Sequence, residues 1–158
     1  MNLKQILCST ALISTLMISS AQANVLDGAT EHNWHYYKAF EFGLNWKDAE
    51  AFCESMGGHL ATAENSDENA VIQQVIDAGG KDEYFIGGFR DDRGIWRWIS
   101  SGIITDQNWK SGYPNSSPLM TMKKKHEARW TTSYSWGDAK YPFICEWDDE
   151  SKAHDSNW

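Results

Sequence analysis

Residues 46–61 read WKDAEAFCESMGGHLA, the pattern of one amphipathic helix closed by a glycine stop. Asn45 can cap it, and Asp48 stands where a carboxylate suits a helix N-terminus. Trp46, Ala49, Phe52, Cys53 and Met56 recur at helical spacing and form one apolar face. Gly57-Gly58 ends the helix. Cys53 therefore sits on the buried face, where a bond to a core strand is geometrically reasonable.

Working outward, a second helix is expected to start near Asn65 or Ser66, with Glu68 in a capping-box-like place. Val71, Ile72, Val75 and Ile76 line one side of it, and Gly79-Gly80 stops it. Trp34 to Phe42 alternates with period two and predicts a strand, after a polar lead-in from Asn24 to Asn33. Tyr84 to Phe89 predicts another, and its internal Gly87-Gly88 suggests a bulge or a close backbone approach. Asp91 to Gly94 is a turn, and Ile95 to Ile99 a further strand. From Thr105 to Ala128 the chain reads as one long loop, and a loop of that length in a compact domain is usually functional. Trp130 and Tyr134 to Trp136 read as strand ends. Tyr141 to Trp147 reads as the last strand, with Tyr141, Phe143, Cys145 and Trp147 on one face, and the polar residues from Asp148 onward are expected to fray. Two helices followed by antiparallel strands with a long inserted loop make an α+β domain.

The ends and totals narrow the class. Lys4, an apolar stretch from Ile6 to Ile18 and Ala21-Gln22-Ala23 read as a cleavable export signal over residues 1–23. That stretch is too short for a comfortable membrane span, and no second one follows. Export leaves Cys53 and Cys145. An even pair in an oxidising compartment reads as a disulfide, two buried free thiols being the alternative. The net charge of −8 argues against nucleic acid as a partner. Nine tryptophans are many for one domain, so some are core and others are left to contact a partner.

Six pieces, in order, resemble the C-type lectin-like family. They are Trp46 to Ala61 with its GGHLA ending, Phe85-Ile86-Gly87-Gly88, Trp96-Arg97-Trp98 with Ser101-Gly102, Trp109 to Asn115, Trp136-Gly137-Asp138, and Phe143-Ile144-Cys145-Glu146. The resemblance covers about Trp34 to Trp147. It implies a C-type lectin-like fold over residues 24–147, with 148–158 as a polar tail. It implies that Cys53 and Cys145 are the helix-to-strand bridge, and that Ile103 to Arg129 is the ligand-binding loop. Trp96, Trp98 and Trp109 match family core positions.

Many members of the resembled family bind sugars through calcium, using acids and amides of three motifs, and others bind proteins without calcium. Here Tyr113 replaces the first acid, Pro114 and Asn115 match, and Gln107 to His126 holds no Asp or Glu. The last motif falls on Trp136-Gly137-Asp138 or on Trp130-Thr131-Thr132. The first alignment keeps Asn115 and Asp138 as candidate metal ligands, and the second keeps Asn115 alone. Calcium takes six to eight hard oxygens, several of them anionic, so the set is incomplete. Tyr113, Asn115, Trp136 and Asp138 are the candidate ligand-binding residues. Trp109, Trp130 and Tyr134 stand beside them in sequence, and aromatic faces suit both sugar rings and protein interfaces. Lys123, Lys124, Lys125, His126 and Arg129 form one basic group, either a site for an acidic glycan or a solvated face.

Catalytic patterns are missing from the sequence. His32-x-x-His35 has no further ligands at zinc-like spacing, and no nucleophile elbow or phosphate loop occurs. The expectation is an exported, non-catalytic protein, periplasmic or extracellular, that binds a glycan. The alternative is a calcium-independent protein-interaction or adhesion module facing a cell-surface protein.

Overall fold

The computed structural model describes residues 24–133 and 138–153. The expected export signal at 1–23, Tyr134, Trp136 and the last residues of the tail lie outside them. The element order is β1 (Thr30–His32), β2 (His35–Leu44), α1 (Trp46–Ser55), β3 (His59–Leu60), α2 (Ser66–Ala78), β4 (Glu83–Arg90), β5 (Trp96–Trp98), β6 (Gly102–Ile103), β7 (Leu119–Lys123), β8 (Trp130–Thr132) and β9 (Tyr141–Trp147). Both helices begin where their caps predict. Asn45 Oδ1 accepts from Asp48 N at 2.9 Å, and Asn65 Oδ1 accepts from Asp67 N and Glu68 N.

The strands run β1-β2-β9-β4-β5-β6, with β3 on β9 and β7 between β4 and β8. Pairings are antiparallel except β4 with β9, which meet in parallel at Phe85 and Phe143. β9 is buried on both faces. Phe143, Cys145 and Trp147 join Trp46, Ala49, Cys53, Met56, Leu60 and Phe85 in a core under α1. Ile144 faces the other way, into a core with Ile72, Ile76, Tyr84, Ile86, Met120, Met122 and Trp130 under α2. Strands covered on both sides read as continuous apolar runs, which is why β4 and β9 are visible in the sequence. Cys53 and Cys145 are bonded, with Cα atoms 5.5 Å apart, and tie α1 to β9. Gly87 permits a close approach: a Cβ there would lie 2.5 Å from the Leu60 carbonyl oxygen.

Four expectations need correction. The polar lead-in contains β1, which pairs with β2 through the two-residue loop Asn33-Trp34. Trp34 is thus at a hairpin tip, 78% exposed, rather than in a strand face. The stretch read as one loop, 105–128, contains β7, with Met120 and Met122 fully buried against β4. The tail does not fray at once, since Glu150–Lys152 forms a single 3-10 turn.

Candidate ligand-binding loop

The long connection from β6 to β7, residues 104–118, is anchored by aromatic packing at its base. Trp109 meets Trp96 at 4.7 Å and Trp130 at 5.5 Å between ring centroids, and Trp130 meets Trp98 at 5.3 Å. Lys110 N donates to the Trp130 carbonyl, and Trp130 N to the Asn108 carbonyl, each at 2.9 Å. The core role expected of Trp96, Trp98 and Trp109 is what the packing shows. Trp130, which its place in sequence groups with the loop's contact aromatics, is instead fully buried, and its Nε1 donates to Asn69 Oδ1 at 2.7 Å.

Above this base the chain turns at Gly112, whose φ of 88° suits glycine. The Tyr113-Pro114 peptide is cis. Asn115 Oδ1 accepts from Ser117 N at 2.8 Å, and Ser117 Oγ lies 2.9 Å from Ser133 Oγ. Arg90 Nη2 donates to the Ser116 carbonyl at 2.6 Å. These bonds fix the loop's shape, leaving Tyr113 and Asn115 half-buried and Pro114 exposed.

What the fold places against Asn115 is Thr132, whose Oγ1 accepts from Asn115 N at 3.3 Å. That is the neighbour expected if Trp130-Thr131-Thr132 is the last motif. Asp138 is exposed on the approach to β9, and Trp136 is outside the described residues. Thr131 Oγ1 donates to the Thr121 carbonyl at 3.1 Å. Among the described residues this loop does not fit the family's calcium: Asn115 is engaged with Ser117 and stands beside the Thr132 hydroxyl, where the ion needs several anionic oxygens.

The basic group does not act as one patch. Lys123 pairs with Glu83 at 3.4 Å, Lys124 Nζ donates to the Gly79 carbonyl at 2.6 Å, and Arg129 Nη1 to Asn108 Oδ1 at 2.9 Å. Burial, then the Lys110 and Lys123 charges, hold His126 below the usual histidine range, and Lys110 Nζ lies 3.3 Å from its Nδ1. Asp91 is likewise a turn residue, accepting from Arg97 Nε at 2.6 Å and from Ile95 N at 2.9 Å.

Beside the loop lies a feature that sequence reasoning missed. A polar cleft of about 390 Å³ is lined by Asn65, Asn69, Asp106, Gln107, Asn108 and Arg129 among others. Its walls come from α2, the loop and the β7–β8 hairpin, and no local pattern joins three such distant segments.

A family profile described as "Lectin C-type domain" matches residues 43–147. A relative from Trimeresurus stejnegeri, one subunit of the "Snaclec coagulation factor IX/factor X-binding protein", is 29% identical over 143 residues, covering 85% of this chain and 92% of its own. The solved structure "SPL-1 - GlcNAc complex" has 30% identity and a TM-score of 0.69, covering 77% of this chain and 93% of that one. "Ca2+-independent C-type lectin SPL-2 from Saxidomus purpuratus" has 26% identity and a TM-score of 0.69, covering 77% and 92%. With the helix-to-strand disulfide, the two helices and the long loop in place, the chain belongs to the C-type lectin domain family, whose members are non-catalytic binding proteins.

Proposed function

We propose that this protein is exported and binds a carbohydrate without calcium, through the loop tip at Tyr113 and Asn115, with Trp136 and Asp138 as flanking contacts. The observation that carries the reading is the pairing of Asn115 with Thr132 and Ser117, which gives the loop a fixed shape without a cation. Tyr113, where the family pattern has an acid, adds an aromatic face suited to the apolar side of a pyranose ring. SPL-1 was solved with GlcNAc and SPL-2 is a Ca2+-independent C-type lectin, so an N-acetylhexosamine is the sugar class to try first.

Calorimetry with N-acetylglucosamine, in calcium and in chelator, tests this. Equal binding in both buffers is expected, with Tyr113→Ala weakening it at least about tenfold, or roughly 1.4 kcal/mol. Arg129→Ala, on the cleft, should leave it nearly unchanged. Binding that requires calcium, or heatless titrations together with a silent glycan array, would overturn the reading.

A protein ligand is the second reading, favoured by the relative named for binding coagulation factors. It would use the same loop, and a pull-down from cell-surface extracts that Tyr113→Ala abolishes would select it over the sugar.

A further inference from the structure

The hairpin β1–β2 brings the sequence's isolated His32-x-x-His35 pair to the end of β9. In the β2–β9 register Tyr37 faces Glu146 and Tyr36 faces Trp147. One further step sets His35 opposite Asp148. Residues directly opposite share a face, and so do residues two apart on one strand. His35, Tyr37, Glu146 and Asp148 therefore stand together, far in sequence from the candidate loop.

Their geometry is compact. His35 Nδ1 lies 2.6 Å from Glu146 Oε1, and ligand atoms of His35, Glu146 and Asp148 all lie within 4.8 Å of one another. Around a tetrahedral ion with bonds of about 2.0–2.2 Å, donor atoms sit roughly 3.3–3.6 Å apart, so small side-chain shifts would suffice. Glu146 is 2% exposed, and His35 and Asp148 are 36% and 43% exposed. The cluster thus has a buried floor and an open side.

Two further observations point to a ligand. The other carboxylate oxygen of Glu146 is held by Thr62 N at 2.8 Å and Thr62 Oγ1 at 3.1 Å, so Oε1 is the oxygen presented to His35. Such an outer hydrogen bond is how metal carboxylates are usually oriented. Tyr37 is fully buried, and its ring stacks on His35 at 6.5 Å. Its hydroxyl is shut away from solvent beside the Glu146 carboxylate, with which it makes at most a poorly aligned hydrogen bond. A buried polar atom of that kind suits a bound water or the hydration shell of an ion as its partner. His59 closes the far side, with Nδ1 donating to the Leu60 carbonyl and Nε2 at 2.9 Å from Asp148 Oδ1.

We propose that His35, Glu146 and Asp148 bind a divalent transition-metal ion of the zinc class, joining the domain's early strand to the segment after its last. One imidazole and two carboxylates suit zinc or cobalt, whereas calcium prefers all-oxygen sites. The site is independent of the sugar-binding loop.

The test uses the exported chain, stripped with chelator and titrated with zinc chloride. Calorimetry should give one ion per chain, and zinc should raise the melting temperature by several degrees. Cobalt should give visible absorption bands of a nitrogen–oxygen site. His35→Ala and Asp148→Asn should each weaken zinc at least about tenfold, the scale for losing even an outer partner. Both variants are first checked for native circular dichroism, and His35 is exposed enough to be replaced safely. His32→Ala is the control, because its Nε2 is 3.0 Å from the Asn33 amide nitrogen and outside the trio. Equal zinc affinity in wild type and His35→Ala, loss in His32→Ala alone, or no binding at millimolar zinc would overturn the assignment.

Discussion

The indole of Trp130 and the phenol of Tyr84 are each tied to one distant partner, and each makes a local question answerable. Trp130 is one of two tryptophans that could open the last family motif. Its complete burial, its bond to Asn69 and its contacts with Trp98 and Trp109 come from segments spread over the chain. Local spacing is the same for a buried and an exposed tryptophan, so the sequence leaves both alignments open. Tyr84 Oη donates to the Glu41 carboxylate and accepts from Lys81 N. Burial, with Glu41 also opposing ionisation, pushes Tyr84 up to about 12. A raised folded value means that the fold holds this proton more tightly than the unfolded chain does. Its contribution is complete below the usual tyrosine value of about 10 and is lost as pH rises toward 12. Burial raises Tyr37 in the same direction, with Glu146 adding to it. Urea midpoints measured from pH 9 to 12 should therefore fall steadily, and the fall should be shallower in Tyr84→Phe.

Among the elements, α2 and the β7–β8 hairpin are joined by several side chains, Asn69, Gln73 and Asp77 of the helix, and Gln73 alone holds two backbone groups of the hairpin. Gln73 Nε2 donates to the Lys123 carbonyl at 3.1 Å, and Gln73 Oε1 accepts from Ala128 N at 3.0 Å. Replacing Gln73 with Leu leaves both backbone groups without these partners. The expected cost is about 1–3 kcal/mol, concentrated in the hairpin. Hydrogen exchange should show faster amides over residues 124–129 with α1 unchanged; uniform acceleration would mean the clamp is not local. The hairpin also marks where sequence reading stops. Both helices, β2, β4 and β9 announce themselves through caps, periodicity and apolar runs. β7 does not, because Leu119 to Lys123 follows Pro118 and runs into lysines, and its pairing with β4 decides its state. β1 is hidden for a related reason. Its two-residue loop has φ of 51° at Asn33 and 69° at Trp34, and such loops usually announce themselves with Gly. An exposed Trp in that place gives no turn signal.

Over the whole molecule, the Cys53–Cys145 bond spans 92 positions and closes most of the domain. On the chain-entropy account a loop of that size contributes about 4–5 kcal/mol. Denaturant unfolding of the Cys53→Ala, Cys145→Ala double variant should show a loss of that order, and a loss under about 1 kcal/mol would mean the sheet carries its stability without the bond. The bridge and the loop are legible in the sequence, since cysteine arithmetic and ordered motifs survive without coordinates. The polar cleft and the His35–Glu146 contact are not, because each joins residues more than fifty positions apart through pairing that no local pattern encodes. The strand order carries one more consequence. β1 lies at one edge of the sheet, β9 is two strands away, and β6, where the long loop departs, lies at the opposite edge. A tag, bead or fused module joined just before β1 or just after β9 would therefore start from that side of the sheet. Copies immobilised that way would share one orientation and keep the far edge clear, so a multivalent array could be assembled without redesigning the fold.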